Sequence, residues 1–333
     1  MNITRTINLK NRPKGKPELS DFDFSTTEIP GLQEGEVLLS PKYVSVDPYL
    51  RGRMSDAPYY IEPFELNKPI ASGIIAEVLE SKDTNFSTGD HVTGMLPWKE
   101  TLVAKAEGLI KVDPNKAPLS AYLGILGMTG LTAYLGLTEI GKPKKGETLI
   151  VSGAAGAVGS IVGQIGKILG LRVVGIAGTD EKVEMLKSKF GFDEGINYNT
   201  TENMTEAIAK ACPEGVDVYF DNVGGEISEA VLFNINKFSR TVNCGAISVY
   251  NNTELPKSIS VQPFLVKKSS SMQGFVIFDY VDKHPEGIKQ LSEWLSQGKL
   301  DYTETIREGF ENIPQAFLDL FDGKNKGKMV VKL

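Results

Sequence analysis

Cysteine and histidine are scarce in this sequence, and their scarcity excludes several kinds of site. The 333 residues include two cysteines and two histidines, too few for a disulfide framework. A catalytic zinc ion commonly has three protein ligands, often two cysteines and a histidine. Apart from carboxylates, the candidates here are Cys212, Cys244, His91 and His284. They are far apart in the chain and none forms a Cys-x-x-Cys pair, so the sequence predicts no metal site.

The sequence also lacks an excess of basic residues. Lys and Arg total 36 against 42 Asp and Glu, which gives a formal net charge of −6 at pH 7. Proteins that bind nucleic acids usually carry a basic domain or stripe, so that class is not expected. With 41% hydrophobic residues and little net charge, the chain is also unlike an intrinsically disordered protein.

No segment has the features of a signal peptide or a membrane span. Residues 1–10 contain no apolar stretch of the ~7–15 residues that a secretory signal needs. Residues 149–178 are almost uncharged, and ~18 apolar residues in a row suggest a membrane helix. Glycines interrupt this run, at Gly153, Gly156, Gly159, Gly163, Gly166 and Gly170. A buried strand, turn, helix and second strand fit better than one span, so we expect a cytoplasmic protein without a membrane segment.

The chain length and the placement of turn residues predict two domains. Hydrophobic cores stop growing near ~250–300 residues, and this chain has 333. In the first third of the chain, short β-rich runs are separated by glycine and proline, and no long helical period occurs. The clearest runs are 35–40, 43–46, 73–79, 91–93 and 101–104. Such frequent short strands are typical of an antiparallel barrel or sandwich.

From residue 148 onward, strands alternate with helices. Residues 148–152 are apolar without alternation, as expected for a strand buried on both faces of a parallel sheet. Further strands are predicted at 172–177, 195–198, 216–220, 241–243 and 275–277, and helices at 157–169, 180–190, 202–211 and 226–236. This alternation predicts an α/β fold with a doubly wound parallel sheet of six strands. After a helix at 284–297, a strand, helix and strand at 303–308, 313–321 and 328–333 either extend that sheet or return to the first domain.

The loop Gly153-Ala-Ala-Gly-Ala-Val-Gly159 joins the first of these strands to its helix. Glycine permits a tight turn and lets the main chain approach a pyrophosphate. The start of the helix offers free N–H groups and the positive end of its dipole. A strand before the loop, a helix after it and a second strand beyond favour a dinucleotide site. The alternative is that the glycines serve only close packing of the helix on the sheet.

The residues after the second strand bear on which dinucleotide binds. NAD sites commonly place Asp or Glu there, bonded to the ribose 2′-hydroxyl. Here the strand ends in the small, uncharged residues Ala177, Gly178 and Thr179, and Lys182 lies in the first turn of the next helix. We expect Lys182 to meet a 2′-phosphate, which predicts NADP(H), and an ordinary solvated lysine is the alternative. Asp180 is either the N-cap of that helix or an NAD-type acid one turn late.

Seven sequence blocks together point to a family. They are Ser45-Val-Asp-Pro-Tyr-Leu-Arg51, Gly127-Met-Thr-Gly-Leu-Thr-Ala-Tyr134, Ala154-Ala-Gly-Ala-Val-Gly-Ser160, Gly178-Thr-Asp-Glu-Lys182, Phe220-Asp-Asn-Val-Gly-Gly225, Cys244-Gly-Ala-Ile-Ser-Val-Tyr-Asn251 and Gly323-Lys-Asn-Lys-Gly-Lys328. With them, essentially the whole chain resembles the zinc-independent medium-chain dehydrogenase/reductases. Within that family it is similar to the subfamily of leukotriene B4 12-hydroxydehydrogenase, prostaglandin reductase and alkenal double-bond reductase.

The resemblance implies a fold, a cofactor and a reaction. Members are homodimers with a GroES-like antiparallel β-barrel domain and a Rossmann domain that binds NADP. Here these domains are expected at residues 1–122 with 300–333, and at 123–299. Members reduce the C=C bond of α,β-unsaturated ketones and aldehydes with NADPH. The implied partners of this chain are therefore NADP(H), a small enone or enal, and a second copy of itself.

The resemblance also implies which residues form the site. The pyrophosphate is expected on Gly156, Ala157, Val158 and Gly159, and the 2′-phosphate on Lys182 and Tyr198. Other cofactor contacts are expected from Met128, Asn222, Cys244, Gly245, Ala246, Ile247, Ser248, Tyr250, Phe275, Val276, Ile277 and Asn325. Tyr49 and Tyr250 are expected to face the substrate. Lys326 stands where relatives often carry an apolar residue, and the segment 58–60 matches no block of the family.

Reduction of an enone requires a hydrogen-bond donor for the carbonyl oxygen, where negative charge develops. The cofactor carries the hydride chemistry, and the protein orients it and stabilises this charge. Tyr49 or Tyr250 is a suitable donor, because a tyrosine with its usual pKa of ~10 is protonated at pH 7. Simple packing is the alternative for either ring. Cys244 is expected to touch the cofactor without acting as a nucleophile, because no histidine lies near it in the sequence.

Two other functions fit the same residues. Quinone reduction uses the same fold and cofactor, and hydroquinone would then form faster than any alkene is reduced. A non-catalytic regulator that binds NADPH would bind the cofactor without oxidising it on any acceptor.

Overall fold

The computed structural model describes residues 3–254 and 256–333, so Met1, Asn2 and Leu255 lie outside the description. The chain divides into two compact units. The described residues up to 124, with 305–325 and 329–333, form the first, and the described residues of 125–304, with 326–328, form the second. The first unit is mainly β structure, and the second alternates strands with helices.

The chain up to residue 124 forms mostly short strands. They are β1 (Ile3–Leu9), β2 (Phe22–Glu28), β3 (Glu36–Ser45), β4 (Ala71–Ser81), β5 (His91–Pro97), β6 (Leu102–Lys105) and β7 (Ile110–Val112). The helical pieces are short: α1 (Leu50–Arg53) and the 3-10 helices Leu19–Asp21 and Leu119–Leu123.

The second unit begins with a helix and then alternates. Helix α2 (Met128–Leu135) runs directly into a π-helix, Gly136–Gly141. The strands are β8 (Thr148–Val151), β9 (Arg172–Ala177), β10 (Glu194–Asn197), β11 (Val216–Asp221), β12 (Ile235–Asn243) and β13 (Ser271–Gly274). The helices are α3 (Gly159–Ile168), α4 (Asp180–Ser188), α5 (Met204–Ala211), α6 (Gly225–Leu232), α7 (Gln262–Lys268), the 3-10 helix Ile277–Lys283 and α8 (His284–Ser296).

The remaining elements are β14 (Glu304–Glu308), the 3-10 helix Phe310–Asn312, α9 (Ile313–Phe321) and β15 (Lys328–Lys332). Strands β15, β3, β4, β5 and β7 pair antiparallel in that order, with β14 outside β15 and β6 paired to β3. The tail therefore returns to the first domain, which decides between the two alternatives left open by the sequence. Strands β1 and β2 form a separate antiparallel pair.

The second unit contains one parallel sheet with the strand order β10-β9-β8-β11-β12-β13. Numbered within the sheet this is 3-2-1-4-5-6, the order of a doubly wound dinucleotide-binding fold. All four residues of β8 are buried, which accounts for their lack of alternation. The predicted fold class, a Rossmann sheet with an antiparallel β domain, is confirmed. Among the described residues, no helix combines the length and the apolar character needed to cross a membrane.

Several predicted elements were wrong in detail. The predicted strands at 35–40 and 43–46 are parts of the single strand β3 (Glu36–Ser45), which passes through Pro41 because the pairing with β4 is irregular between Pro41 and Tyr43. The sixth strand of the parallel sheet is Ser271–Gly274 and not 275–277. Helix α6 ends at Leu232, and residues 235–236 already belong to β12.

Candidate cofactor and active site

The loop between β8 and α3 has the backbone geometry of a phosphate-binding turn. Gly153 has a φ of +57°, and its carbonyl accepts the N–H of Gly156 at 3.0 Å. A Cβ at Gly159 would lie 2.5 Å from that same carbonyl oxygen, so no other residue fits there. Within the described chain, the amides of Ala157, Val158 and Gly159 donate to no protein group. Three donors at the start of a helix are available to an anion.

Other glycines of this run serve packing. A Cβ at Gly163 would overlap the ring of Phe192, and one at Gly166 would lie 2.7 Å from the side chain of Leu149. Gly166 lets α3 lie close against the sheet, and Gly163 leaves room for Phe192, which lies between α4 and β10. These helix glycines serve packing, and the binding of a dinucleotide by the loop glycines stays a prediction.

The helix that follows β9 has no acidic N-cap. Helix α4 is capped by Thr179, whose hydroxyl accepts the N–H of Lys182 at 3.2 Å. Asp180 is not the N-cap, which corrects one of the two roles considered for it. Its carboxylate accepts a hydrogen bond from the side-chain amide of Asn197 at 2.7 Å instead. From the sequence, Asp180 is the obvious cap. In the structure, however, Thr179 is the last residue with an extended backbone, and Asp180 is already the first residue of the helix.

Lys182 and Tyr198 both lie beside the end of β9. The Tyr198 hydroxyl packs on Gly178, where a Cβ would come within 2.7 Å of it, and the ring is 41% exposed. Lys182 is half-buried, and burial together with the nearby charge of Lys326 lowers its pKa, while Glu181 opposes this. These groups form a small polar surface at the position where a dinucleotide fold holds its adenosine ribose.

Residues 326–328 lie against the phosphate loop. The N–H of Gly327 donates to the carbonyl of Ala155 at 2.8 Å, and Gly327 pairs with Gly156 in a parallel bridge. Gly327 has a φ of +63°, and a Cβ on it would overlap the carbonyl oxygen of Thr303. Only glycine fits this position. The Lys326 ammonium forms an ion pair with the carboxylate of Glu181.

The ends of β8 and β11 are joined by a hydrogen-bond network at the point where the strand order reverses. Ser152 donates from its hydroxyl to Asp221 at 2.8 Å, and the same carboxylate oxygen accepts the amides of Val223 and Gly224 at 2.9 Å each. The Asn222 amide side chain donates to the Ser152 carbonyl at 2.7 Å. Ligands of this fold class bind in the crevice at that reversal, so the network holds Asn222 at its edge.

The loop 244–250 is attached to the same strand end. The amides of Cys244 and Gly245 donate to the carbonyl of Asp221 at 2.8 and 3.1 Å. The Tyr250 hydroxyl accepts the N–H of Ala246 at 3.1 Å. Burial, with the Asp221 charge, raises the pKa of the Cys244 thiol to about 12, so this thiol is protonated at neutral pH.

Met128 and the segment 275–277 share one apolar region of the second unit. Met128 opens α2 and packs on the cluster that contains Leu131 and Ile277. A Cβ at Gly136, where the π-helix begins, would lie 2.6 Å from the Phe275 ring. Phe275 and Ile277 are therefore packed in this region, and the segment 275–277 is not a strand.

Tyr49 belongs to the first unit and lies directly before α1. Its hydroxyl is 4.0 Å from the thioether sulfur of Met95. Burial raises the pKa of Tyr49 well above its ordinary value, the Asp47 charge raises it further, and Arg53 opposes them. This phenol therefore stays protonated over the working pH range of most enzymes and can act as a donor.

Asn325 also belongs to the first unit, after Lys324. The Lys324 ammonium pairs with Asp319 at 2.9 Å, and its N–H donates to the carbonyl of Asp319 at 3.0 Å. These bonds hold the chain that leads to Asn325. In the described ranges 3–254 and 256–333, no group of three or more His, Cys, Asp or Glu side chains is arranged to hold a metal ion.

Three features of the site were missed by sequence reasoning. They are the Thr179 cap, the Ser152–Asp221 network and the position of Lys326 beside Lys182. The block 323–328 contained a signal for the third, because a lysine there departs from the family pattern. Its distance in sequence from Lys182 concealed the contact.

Comparison with known proteins gives matches along the whole chain. Two family profiles match: one described as the N-terminal domain of oxidoreductase over residues 5–112, and one described as zinc-binding dehydrogenase over residues 157–297. The putative NADP-dependent oxidoreductase YfmJ of Bacillus subtilis is 56% identical over 98% of this chain and 97% of its own length. The NADP(+)-dependent 2-alkenal reductase of Nicotiana tabacum is 42% identical over 98% of this chain and 96% of its own.

Solved structures match the whole chain as well. CurA from Vibrio vulnificus, crystallised in complex with NADPH, superimposes with a TM-score of 0.94 at 42% identity and covers 98% of each chain. The resemblance read from the sequence blocks is confirmed. The chain belongs to the zinc-independent medium-chain dehydrogenase/reductases, in the subfamily of prostaglandin and alkenal reductases.

Proposed function

We propose that this protein reduces the C=C bond of α,β-unsaturated ketones and aldehydes with NADPH. The observation that carries the proposal is the cofactor cradle of the second unit, the glycine loop between β8 and α3 with Lys182 at the end of β9. The tobacco relative is named a 2-alkenal reductase that depends on NADP, and the CurA relative was crystallised with NADPH. Both names support the same cofactor for this chain, and the first supports the same bond.

The described residues fit NADPH along the crevice. The free amides of Ala157, Val158 and Gly159 suit the pyrophosphate, and Lys182 with Tyr198 suits the 2′-phosphate. The nicotinamide end would lie near Asn222, the loop 244–248 and the segment 275–277. When bound, NADPH supplies the hydride for the β-carbon of the enone. Asn325 and Met128 complete the proposed set of cofactor contacts.

A tyrosine hydroxyl is the proposed donor to the substrate carbonyl oxygen. Tyr250 accepts a backbone N–H at 3.1 Å, which draws electron density from its oxygen and makes its O–H a stronger donor. Tyr49 is partly buried, and its hydroxyl lies 4.0 Å from a thioether, a weak acceptor that competes little for its proton. Either phenol can stabilise the negative charge that develops on that oxygen, as an oxyanion-hole donor does.

We further propose that the protein works as a cytoplasmic homodimer and needs no zinc. The proposed domain limits are 1–122 with 300–333 for the GroES-like domain and 123–299 for the cofactor domain. The homodimer follows from the family. The spacing of the possible ligands supports the independence from zinc, since the two cysteines and two histidines are far apart in the chain and none forms a Cys-x-x-Cys pair.

Anaerobic mixing with NADPH and 3-nonen-2-one tests the function. Absorbance at 340 nm should fall as the saturated ketone forms, with mass spectrometry identifying the product. Prior treatment with EDTA should leave the rate unchanged. No turnover across a panel of enones and enals would contradict the proposal, and faster formation of hydroquinone from a quinone panel would favour quinone reduction. Binding of NADPH without oxidation by any acceptor would indicate a regulator.

A further inference from the structure

Lys326 lies in the adenosine region of the second unit, although it is distant in sequence from the other residues there. Its backbone position is set by Gly327, which donates to Ala155 at 2.8 Å and forms a bridge with Gly156. Lys328 adds a second bond, from its N–H to the carbonyl of Thr303 at 2.9 Å. The main chain on the C-terminal side of Lys326 is therefore held against the phosphate loop.

The side chain of Lys326 lies among charges at the start of α4. It forms an ion pair with Glu181, in which the lysine is 40% and the glutamate 72% exposed. Its positive charge also acts on Lys182, the next residue along the helix. Two ammonium groups thus lie close together at this surface, beside the Glu181 carboxylate. A 2′-phosphate held by Lys182 would therefore also feel the positive charge of Lys326.

We propose that Lys326 is a second residue that binds the adenosine 2′-phosphate, and that Glu181 competes with this phosphate for Lys326. The inference rests on the proposed use of NADPH. When the phosphate binds, the Lys326 ammonium turns from Glu181 to the phosphate oxygens, while Lys182 holds the other side. Glu181 remains nearby as a like charge. Lys326 therefore favours ligands with a 2′-phosphate, and Glu181 disfavours them.

The proposal predicts effects of opposite sign for the two residues, measurable without turnover. Calorimetry gives the Kd of adenosine 2′,5′-bisphosphate, with AMP as the ligand that lacks the 2′-phosphate. Lys326→Met should weaken the bisphosphate about fivefold, since an exposed lysine meets a charge of about −1.5 to −2 at the expense of its pair with Glu181. Glu181→Gln should tighten it about twofold to threefold by removing the competing charge. AMP affinity should change little in both.

Lys187→Met is the matched control. Lys187 lies on the same helix α4 and faces Glu194 at 4.0 Å in an exposed pair, so its loss changes the net charge equally. It should alter neither affinity. Lys326→Arg should keep the preference for the bisphosphate, because guanidinium also binds phosphate. In the background of Glu181→Gln, Lys326→Met should weaken the bisphosphate by more than fivefold, because the competing pair is absent from both proteins.

The outcomes separate this inference from the proposed function. If the unaltered protein does not prefer the bisphosphate to AMP, the NADPH proposal fails and this one with it. If that preference exists and Lys182→Ala removes it while Lys326→Met does not, Lys326 has no role in binding and this inference alone is overturned. Equal loss of both ligands in Lys326→Met also overturns it. If circular dichroism shows that Lys326→Met is unfolded, the test rests on Glu181→Gln. Failure of that variant to bind the bisphosphate more tightly then overturns the inference.

Discussion

Gly327→Ala is the substitution whose cost can be derived most directly from the structure. An alanine at a φ of +63° loses about 1 kcal/mol relative to glycine. Its Cβ would overlap the carbonyl oxygen of Thr303, so the segment must shift away from the loop. The shift breaks the bond from Gly327 to Ala155, 2.8 Å long, and a hydrogen bond of this kind contributes about 0.5–1.5 kcal/mol. With strain added, we expect a total loss of roughly 2–4 kcal/mol.

Gly298→Ala is the control for this loss. Gly298 has a φ of +66°, and its Cβ would meet no atom within 4 Å. It therefore carries the conformational cost of about 1 kcal/mol without the overlap. In thermal unfolding, 1 kcal/mol lowers the Tm of a unit of 150–250 residues by about 2–4 °C. Gly327→Ala should then lower the Tm by roughly 5–15 °C and Gly298→Ala by about 2–4 °C. Equal shifts for the two variants would refute the proposed overlap.

Three further predictions concern the site. Lys182→Ala should weaken NADPH about tenfold or more, as loss of a charge-assisted bond does, and should weaken NADH much less; equal losses in calorimetry would remove the 2′-phosphate assignment. Of Tyr49→Phe and Tyr250→Phe, the one that removes the carbonyl donor should lower kcat about 10²-fold with little change in cofactor affinity, and unchanged turnover in both would exclude a tyrosine donor. Burial raises the pKa of Cys212 to about 11 and of Cys244 to about 12, so their contribution to stability should be complete below the unfolded pKa of about 9 and should decline as the pH rises through 11 and 12. Urea unfolding at pH 8 and pH 11 measures this loss, which should be smaller when both cysteines are replaced by alanine.

Elements with a strong apolar pattern could be predicted from the sequence. The predicted strand at 172–177 has the same first and last residues as β9, and the predicted helix at 313–321 has the same first and last residues as α9. Each combines a strong apolar pattern with a glycine or proline at its boundary. Strand β13 could not be predicted, because Ser271–Gly274 is a largely polar edge strand. The apolar residues 275–277 that follow it have the composition of a strand, which explains the wrong prediction, but they serve packing around Phe275.

The candidate site was predictable where it depends on local order along the chain. The glycine loop and Lys182 follow their strands directly, so their position results from the strand–helix alternation. The position of Lys326 depends instead on a contact between residues 155–156 and 327, which only the tertiary fold creates. The cap at Thr179 was missed because Asp180 has an equally suitable side chain, and the choice depends on one backbone angle.

Strand β15 has a consequence for the synthesis of this protein. It pairs with β3 in the interior of the antiparallel sheet, with Val330 opposite Ser45 and both Val330 and Val331 fully buried. The ribosome makes β3 roughly 280 residues before β15, and at ~5–20 residues per second this takes on the order of 14–60 seconds. Throughout that interval the Tyr43–Ser45 end of β3 lacks its neighbour β15 on one edge, and the strands of the parallel sheet are complete only once Gly274 has been made. During translation the nascent β domain therefore presents an open, aggregation-prone edge that a chaperone can protect.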